Sequence, residues 1–175
     1  ELKPSIVIHS WDLFHTAKPS NKAISIVVKN FLKLEEEWIK TIVIAWNHDT
    51  PRLSITTHSF EIFNEFKHFF VYYKPQINSI EINDINFVIL PHIHDELLFK
   101  DEFWKISNLF KKNKKNIFIS HFWISAKEYD EYTDEISWIN ININELENLK
   151  KFDYVALWHY HKNFCIWNIC YPGSI

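Results

Sequence analysis

The sequence predicts a layered α/β sandwich, on three observations. Short β-branched runs at Ile6-Val7-Ile8, Ile42-Val43-Ile44 and Ile117-Phe118-Ile119 read as buried strands. Segments with apolar residues at three- and four-residue spacing lie between them. Strands alternate with helices early in the chain and predominate late, which suits stacked layers around one core. The 175 residues are read as a single domain, 1–175, long enough to bury that core, and 47% apolar and 17% aromatic content argues against disorder.

The elements follow in order. Ser5–His9 is a strand that runs into the polar turn Ser10-Trp11-Asp12-Leu13-Phe14-His15. Ser20 is the N-cap of a helix whose buried face is Ile24, Val27, Val28, Phe31 and Leu32, and which ends near Glu35-Glu36-Glu37-Trp38. The stretch Thr41–Pro51 opens with the buried strand Ile42-Val43-Ile44, then breaks into Asn47-His48-Asp49 and stops at Pro51. Thr57–Phe66 is expected as an amphipathic helix with Phe60, Phe63 and Phe66 inward, and Phe70–Tyr73 as a strand. Ser79–Ile82 and Asn86–Leu90 pair as a hairpin across Asn83-Asp84-Ile85. Pro91–Glu96 is a polar loop. Asp101–Lys112 is a helix whose C-terminus is capped by the basic run Lys111–Lys115. Asn116–Ser120 is a strand with His121 at its end, 125–143 is irregular, and Asn144–Lys151 is a short helix. Tyr154–Leu157 leads to Trp158-His159-Tyr160-His161. A last hairpin turns at Trp167-Asn168 and sets Cys165 opposite Cys170. That register permits a bridge, but in a cytoplasm the two thiols are expected reduced.

The net charge of −3 gives no global attraction to nucleic acid or an anionic membrane, although a local groove is compatible with it. No apolar run is long enough to span a bilayer and no signal peptide is visible. The chain opens at Glu1 and contains no Met. It is read as a piece of a longer protein whose start is missing, of expected cytoplasmic location.

Four strand ends carry metal-type ligands: Asp12, Asn47, His121, and the pair His159 and His161. Asp, Asn and His together suit a borderline ion such as Mn²⁺, Fe²⁺ or Zn²⁺. His48 can give a proton to a leaving oxygen, and Asp49 can fix its tautomer. Each residue alone has an ordinary reading as polar surface at a strand end. Their succession along one chain is harder to reach by chance. His92-Ile93-His94 imitates a ligand pair but reads as a loop.

Ser-Trp-Asp-Leu-Phe-His at 10–15, Trp-Asn-His-Asp at 46–49, Ser-His at 120–121 and Trp-His-Tyr-His at 158–161 resemble the successive motifs of the calcineurin-like metallophosphoesterases. Asp-Leu-Phe-His followed by Asn-His-Asp-Thr-Pro-Arg-Leu resembles, within them, the SbcD-type DNA repair nucleases. The resemblance implies an α-β-β-α sandwich truncated at its N-terminus, and two divalent ions, Mn²⁺ first, bridged by Asp12. Asn47, His121 and His159 would serve one ion and His161 the other. His48 would be the proton donor, oriented by Asp49, with His15 near the scissile phosphate. It implies phosphodiester hydrolysis by in-line attack of a metal-bound hydroxide, DNA as substrate, a coiled-coil SMC-like ATPase partner of the SbcC type, a homodimer, and no membrane.

Two departures bear on this. The family opens with a D-x-H strand that this stretch lacks, so the fragment alone is expected to hold no competent two-metal centre and to be inactive. Tryptophan also stands where the family has glycine, at Trp11, Trp46, Trp123 and Trp158. Trp38 and Trp167 take a helix C′ position and a tight hairpin, where glycine is equally wanted. One glycine against eight tryptophans in 175 residues fits UGA codons read as tryptophan but meant as glycine; otherwise the site is sterically damaged. The rival readings are a phosphoesterase acting on a small phosphodiester or phosphoprotein, and a catalytically dead scaffold. A groove of Lys18, Arg52, Lys127 and Lys162 would favour DNA.

Overall fold

A computed structural model describes residues 3–10, 12–51, 57–125, 140–158 and 162–173. The fold is α/β, as the sequence predicts, and its chain divides into two compact units, Glu1–Lys74 and Pro75–Ile175.

The first unit holds a three-stranded parallel sheet. β1 (Ile6–His9) and β3 (Phe69–Tyr72) flank β2 (Lys40–Ile44). Thr41 to Ile44 of β2 are buried, which is why its side chains are apolar on both faces rather than alternating. Between β1 and β2 runs α1 (Asn21–Glu36), opened by Ser20, whose Oγ accepts the Ala23 N–H at 3.2 Å. Its packed stripe is Ile24, Val27, Val28, Phe31 and Leu34. Leu32, expected inward, is exposed, because the stripe closes at Leu34, three residues after Phe31. The segment Ser59–Glu65 is a 3-10 helix instead of the expected α-helix. His58 caps it, its Nδ1 accepting the Phe60 N–H at 3.1 Å. Phe60 and Phe63 are buried as expected and meet Phe14, Phe31 and Phe69 in one aromatic core.

The second unit is built on a mixed six-stranded sheet. Its strands are β4 (Asn78–Ile82), β5 (Ile85–Leu90), β6 (Lys115–His121), β9 (Tyr154–Trp158), β10 (Phe164–Ile166) and β11 (Ile169–Tyr171). The order β10-β11-β9-β6-β5-β4 places β5, β6 and β9 as parallel neighbours. The β4–β5 loop is only Asn83-Asp84, both with positive φ (51° and 63°), and Ile85 belongs to the strand. Such a pair of left-handed residues matches the sheet twist.

The helical segment begins earlier than expected. α2 (Glu96–Trp104) starts where Asp95 accepts the Leu98 N–H at 2.9 Å, and α3 (Ile106–Leu109) follows. Phe99, Phe103 and Ile106 join a core with Val88, Phe118, Phe122 and Leu157. The basic run therefore lies beyond the helix. Lys111 and Lys114 pair instead with Glu81, and Lys114 also with Asp84, on the β4–β5 hairpin. The short strands β7 (Trp123–Ser125) and β8 (Asn140–Asn142) pair in parallel, and Ile143–Lys151 is a second 3-10 helix where a short helix was expected.

Cys165 faces Cys170 as predicted, but the pair is a disulfide and not two thiols. The hairpin is the physical reason: its register brings the two Cα atoms to 4.1 Å, within the close spacing of a non-hydrogen-bonded pair. No helix among the described residues is long and apolar enough to cross a membrane.

Candidate functional site

In the first unit the site is set by parallel register. His9, the last residue of β1, lies level with Val43, one residue before the end of β2, so the polar turns of both strands leave from the same edge. Such carboxyl ends are where open α/β sheets place ligands. The turn after β1 carries Asp12 and His15. The turn after β2 carries Asn47, His48 and Asp49.

The two turns hold each other through reciprocal hydrogen bonds. Buried Asp49 accepts the backbone N–H of Phe14 at 2.8 Å and of Leu13 at 3.1 Å, both from the other turn. It accepts a third, weaker bond from Trp46 N–H at 3.4 Å. In return Asp12 Oδ1 accepts the His48 N–H at 3.3 Å. Within the second turn, Thr50 closes onto the Trp46 carbonyl through its N–H at 2.9 Å and its hydroxyl at 2.7 Å. Phe14 anchors the first turn, its ring stacked on Phe63 and edge-on to Phe60.

Burial raises the Asp49 carboxyl to about 7, and the Asp12 charge pushes the same way, against the lowering effect of its three backbone donors. The pairing with Phe14, Leu13 and Trp46 makes Asp49 a clamp between the turns, a role the sequence reading did not see. The available signal was Leu13-Phe14 after Asp12: two apolar residues pulled into the core leave backbone donors that a buried acceptor has to satisfy.

His15 and His48 come together. Their rings stack with centroids 5.6 Å apart and 14° between planes. Asn47 Oδ1 is buried and has no hydrogen-bond partner among the described residues. An unsatisfied amide oxygen in that position is costly unless a ligand takes it up. With the Asp12 carboxylate in the neighbouring turn, the donor chemistry on this unit fits a hard or borderline divalent cation.

In the second unit His121 is the last residue of β6 and is buried. Ser120 before it fixes the strand end, donating its hydroxyl to the Leu90 carbonyl at 2.9 Å. His121 lies level with Trp158, the last residue of β9. His159 and His161, predicted as ligands, fall just beyond, outside the described residues, as do Arg52 and Lys127 of the predicted basic groove. His92 Nε2 and His94 Nδ1 meet at 3.1 Å in the loop after β5. Among the described residues no group of three or more His, Cys, Asp and Glu side chains is arranged to hold a metal.

No protein-family profile matches the chain. Among curated proteins it is similar to the DNA double-strand break repair protein Mre11 of Sulfurisphaera tokodaii, at 33% identity over 89% of this chain and 38% of that protein. The Mre11 of Methanocaldococcus jannaschii is 29% identical over 93% of this chain and 42% of that protein. The SbcD component of the SbcCD nuclease of Staphylococcus epidermidis is 27% identical over 99% of this chain and 51% of that protein. The chain thus spans about half, or less, of the length of these relatives.

Proposed function

We propose, starting from the chain's homology to the Mre11 and SbcD nucleases and its place as an SbcD/Mre11-like metallophosphoesterase, that it supplies phosphodiester-hydrolysing machinery acting on DNA ends. The observation that carries this reading is the pair of turns after β1 and β2. Their cross-links Asp49 to Phe14 and Asp12 to His48 hold a carboxylate, an amide oxygen and two stacked imidazoles at one sheet edge.

In this reading the metal-ligating residues are Asp12 and Asn47 on the first unit and, from the motif pattern, His121, His159 and His161. Two divalent ions, Mn²⁺ in the first place, would lower the pKa of a water and neutralise charge on the phosphate. His48 donates a proton to the leaving oxygen, and His15, stacked beside it, binds a phosphate oxygen. Asp49 keeps both turns in place by holding the backbone of the Asp12 turn. The backbone bond from His48 to Asp12 couples the proton donor's position to the metal ligand's. DNA, an SbcC-type ATPase, a homodimer and a cytoplasmic setting, in which the Cys165–Cys170 bridge would be open to reduction, belong to the same proposal.

A second reading, hydrolysis of a small phosphodiester, draws support from the net charge of −3, since DNA enzymes commonly present basic surfaces. The two are separated by incubating the full-length gene product and Mn²⁺ with linear duplex DNA and, separately, with a generic aryl phosphodiester. Cleavage of DNA supports the nuclease. Turnover of the small ester alone supports the second reading, and metal binding without any turnover supports a scaffold.

A further inference from the structure

Two tryptophans occupy backbone positions that suit glycine. At the end of α1 the Trp38 N–H donates to the Glu35 carbonyl and the Ile39 N–H to the Leu34 carbonyl, both at 3.0 Å. These bonds make a Schellman motif with Trp38 at C′, and its φ is 59°. In the β10–β11 hairpin the two loop residues are Trp167 and Asn168. Trp167 has φ 54°, whereas Asn168 is not left-handed. A two-residue loop with positive φ at its first position only is the type II′ pattern, which takes glycine there.

A side chain with a β-carbon opposes this conformation, and Asn and Asp tolerate it best. The other two left-handed non-glycine residues among those described, Asn83 and Asp84, obey that preference. Trp38 and Trp167 do not, and burial does not compensate them: they are 76% and 60% exposed. Trp38 lies against His68, and Lys150 over the Trp167 ring, contacts open to any exposed indole. Trp104 shows the contrast. It sits in α2 without a left-handed backbone and packs edge-on against Phe103.

We infer that positions 38 and 167 are glycine in the cell of origin, encoded by UGA codons that its translation reads as glycine. UGA lies one base from the tryptophan codon UGG and one base from the glycine codon GGA. A glycine tRNA with a single altered anticodon base would decode it. One glycine against eight tryptophans in the sequence is the compositional counterpart. Trp46, Trp123 and Trp158 have no left-handed backbone, so there, as at Trp11, the same assignment rests on motif spacing and not on backbone angle.

The test is to read the source codons at 38, 104 and 167 and to weigh the corresponding peptides of the protein made in its own cell. The inference expects UGA and glycine mass at 38 and 167, with UGG at 104. UGG at 38 or 167, or a tryptophan-containing peptide there, overturns it. A second measurement uses the recombinant gene product carrying tryptophan. Trp38→Gly and Trp167→Gly should each raise the thermal midpoint by about 2–4 °C, and Trp104→Gly should lower it. A fall with Trp38→Gly as large as with Trp104→Gly overturns the backbone argument.

Discussion

Asp49 Oδ1 accepts the Phe14 N–H at 2.8 Å, joining residues 35 positions apart. Through that bond a buried carboxylate from the end of one strand governs the turn that leaves its neighbour. Asp49→Asn keeps the size and one acceptor oxygen but turns an N–H₂ toward backbone donors. We expect a loss of about 1–3 kcal/mol of unfolding free energy and at least a tenfold loss of metal affinity through the displaced Asp12. Urea unfolding and a metal titration check both; a change below about 0.5 kcal/mol with unaltered affinity contradicts the clamp.

Asn47 is expected to behave in the opposite way. Its Oδ1 is buried with no hydrogen-bond partner among the described residues to lose, so Asn47→Ala should leave the metal-free protein within about 0.5 kcal/mol of the parent, or slightly more stable. The same change should weaken Mn²⁺ binding at least tenfold. Destabilisation of the metal-free protein by more than about 2 kcal/mol would mark Asn47 as structural.

Phe14 ties the Asp12 turn to the aromatic core. Phe14→Ala removes a ring packed on Phe60 and Phe63, at an expected cost of about 3–5 kcal/mol. Phe14→Leu should cost much less and retain metal binding. Denaturant midpoints of the two variants check this; equal losses would deny the ring its anchoring role.

Acid should destabilise the metal-free protein through two imidazoles, buried His58 and half-buried His9. Burial lowers both His9 and His58 from 6.5 to about 4. Each folded pKa lies below its unfolded value, so the folded state binds fewer protons between the two. The stability they allow is complete above about pH 6.5 and is lost as pH falls toward about 4. The His58 share is at most roughly 3 kcal/mol. His58→Asn keeps a side-chain acceptor at the 3-10 helix cap and should flatten that part of the slope. An unchanged slope in the variant would refute the assignment.

Much of this was readable in the residues themselves. The buried run Thr41–Ile44, the Ser20 cap and the Cys165–Cys170 register depend on local pattern, and local pattern was sufficient. The start of α2 was missed because Asp95 caps a helix whose first turn is polar, while the apolar spacing that catches the eye begins later, near Phe103. The partners of Lys111 and Lys114 were missed because Glu81 and Asp84 lie about 30 residues away and are brought close only by the β4–β5 hairpin. The same limit applies to the site. Strand-end chemistry marked Asp12, His15 and Asn47–Asp49, but the bonds from Asp49 to Leu13 and Phe14 depend on parallel register, which no single segment encodes. Trp38 and Trp167, by contrast, were visible as glycine positions from turn chemistry alone, and the left-handed backbone is found at both.

The central claim is that the two cross-linked turns do phosphodiester chemistry, with His48 giving the proton. The most direct test is Mn²⁺-dependent cleavage of linear duplex DNA by the full-length gene product and by its His48→Ala variant. We predict a loss of at least about 100-fold in turnover with Mn²⁺ affinity and unfolding midpoint unchanged. Cleavage by the variant at the parent rate would contradict the claim.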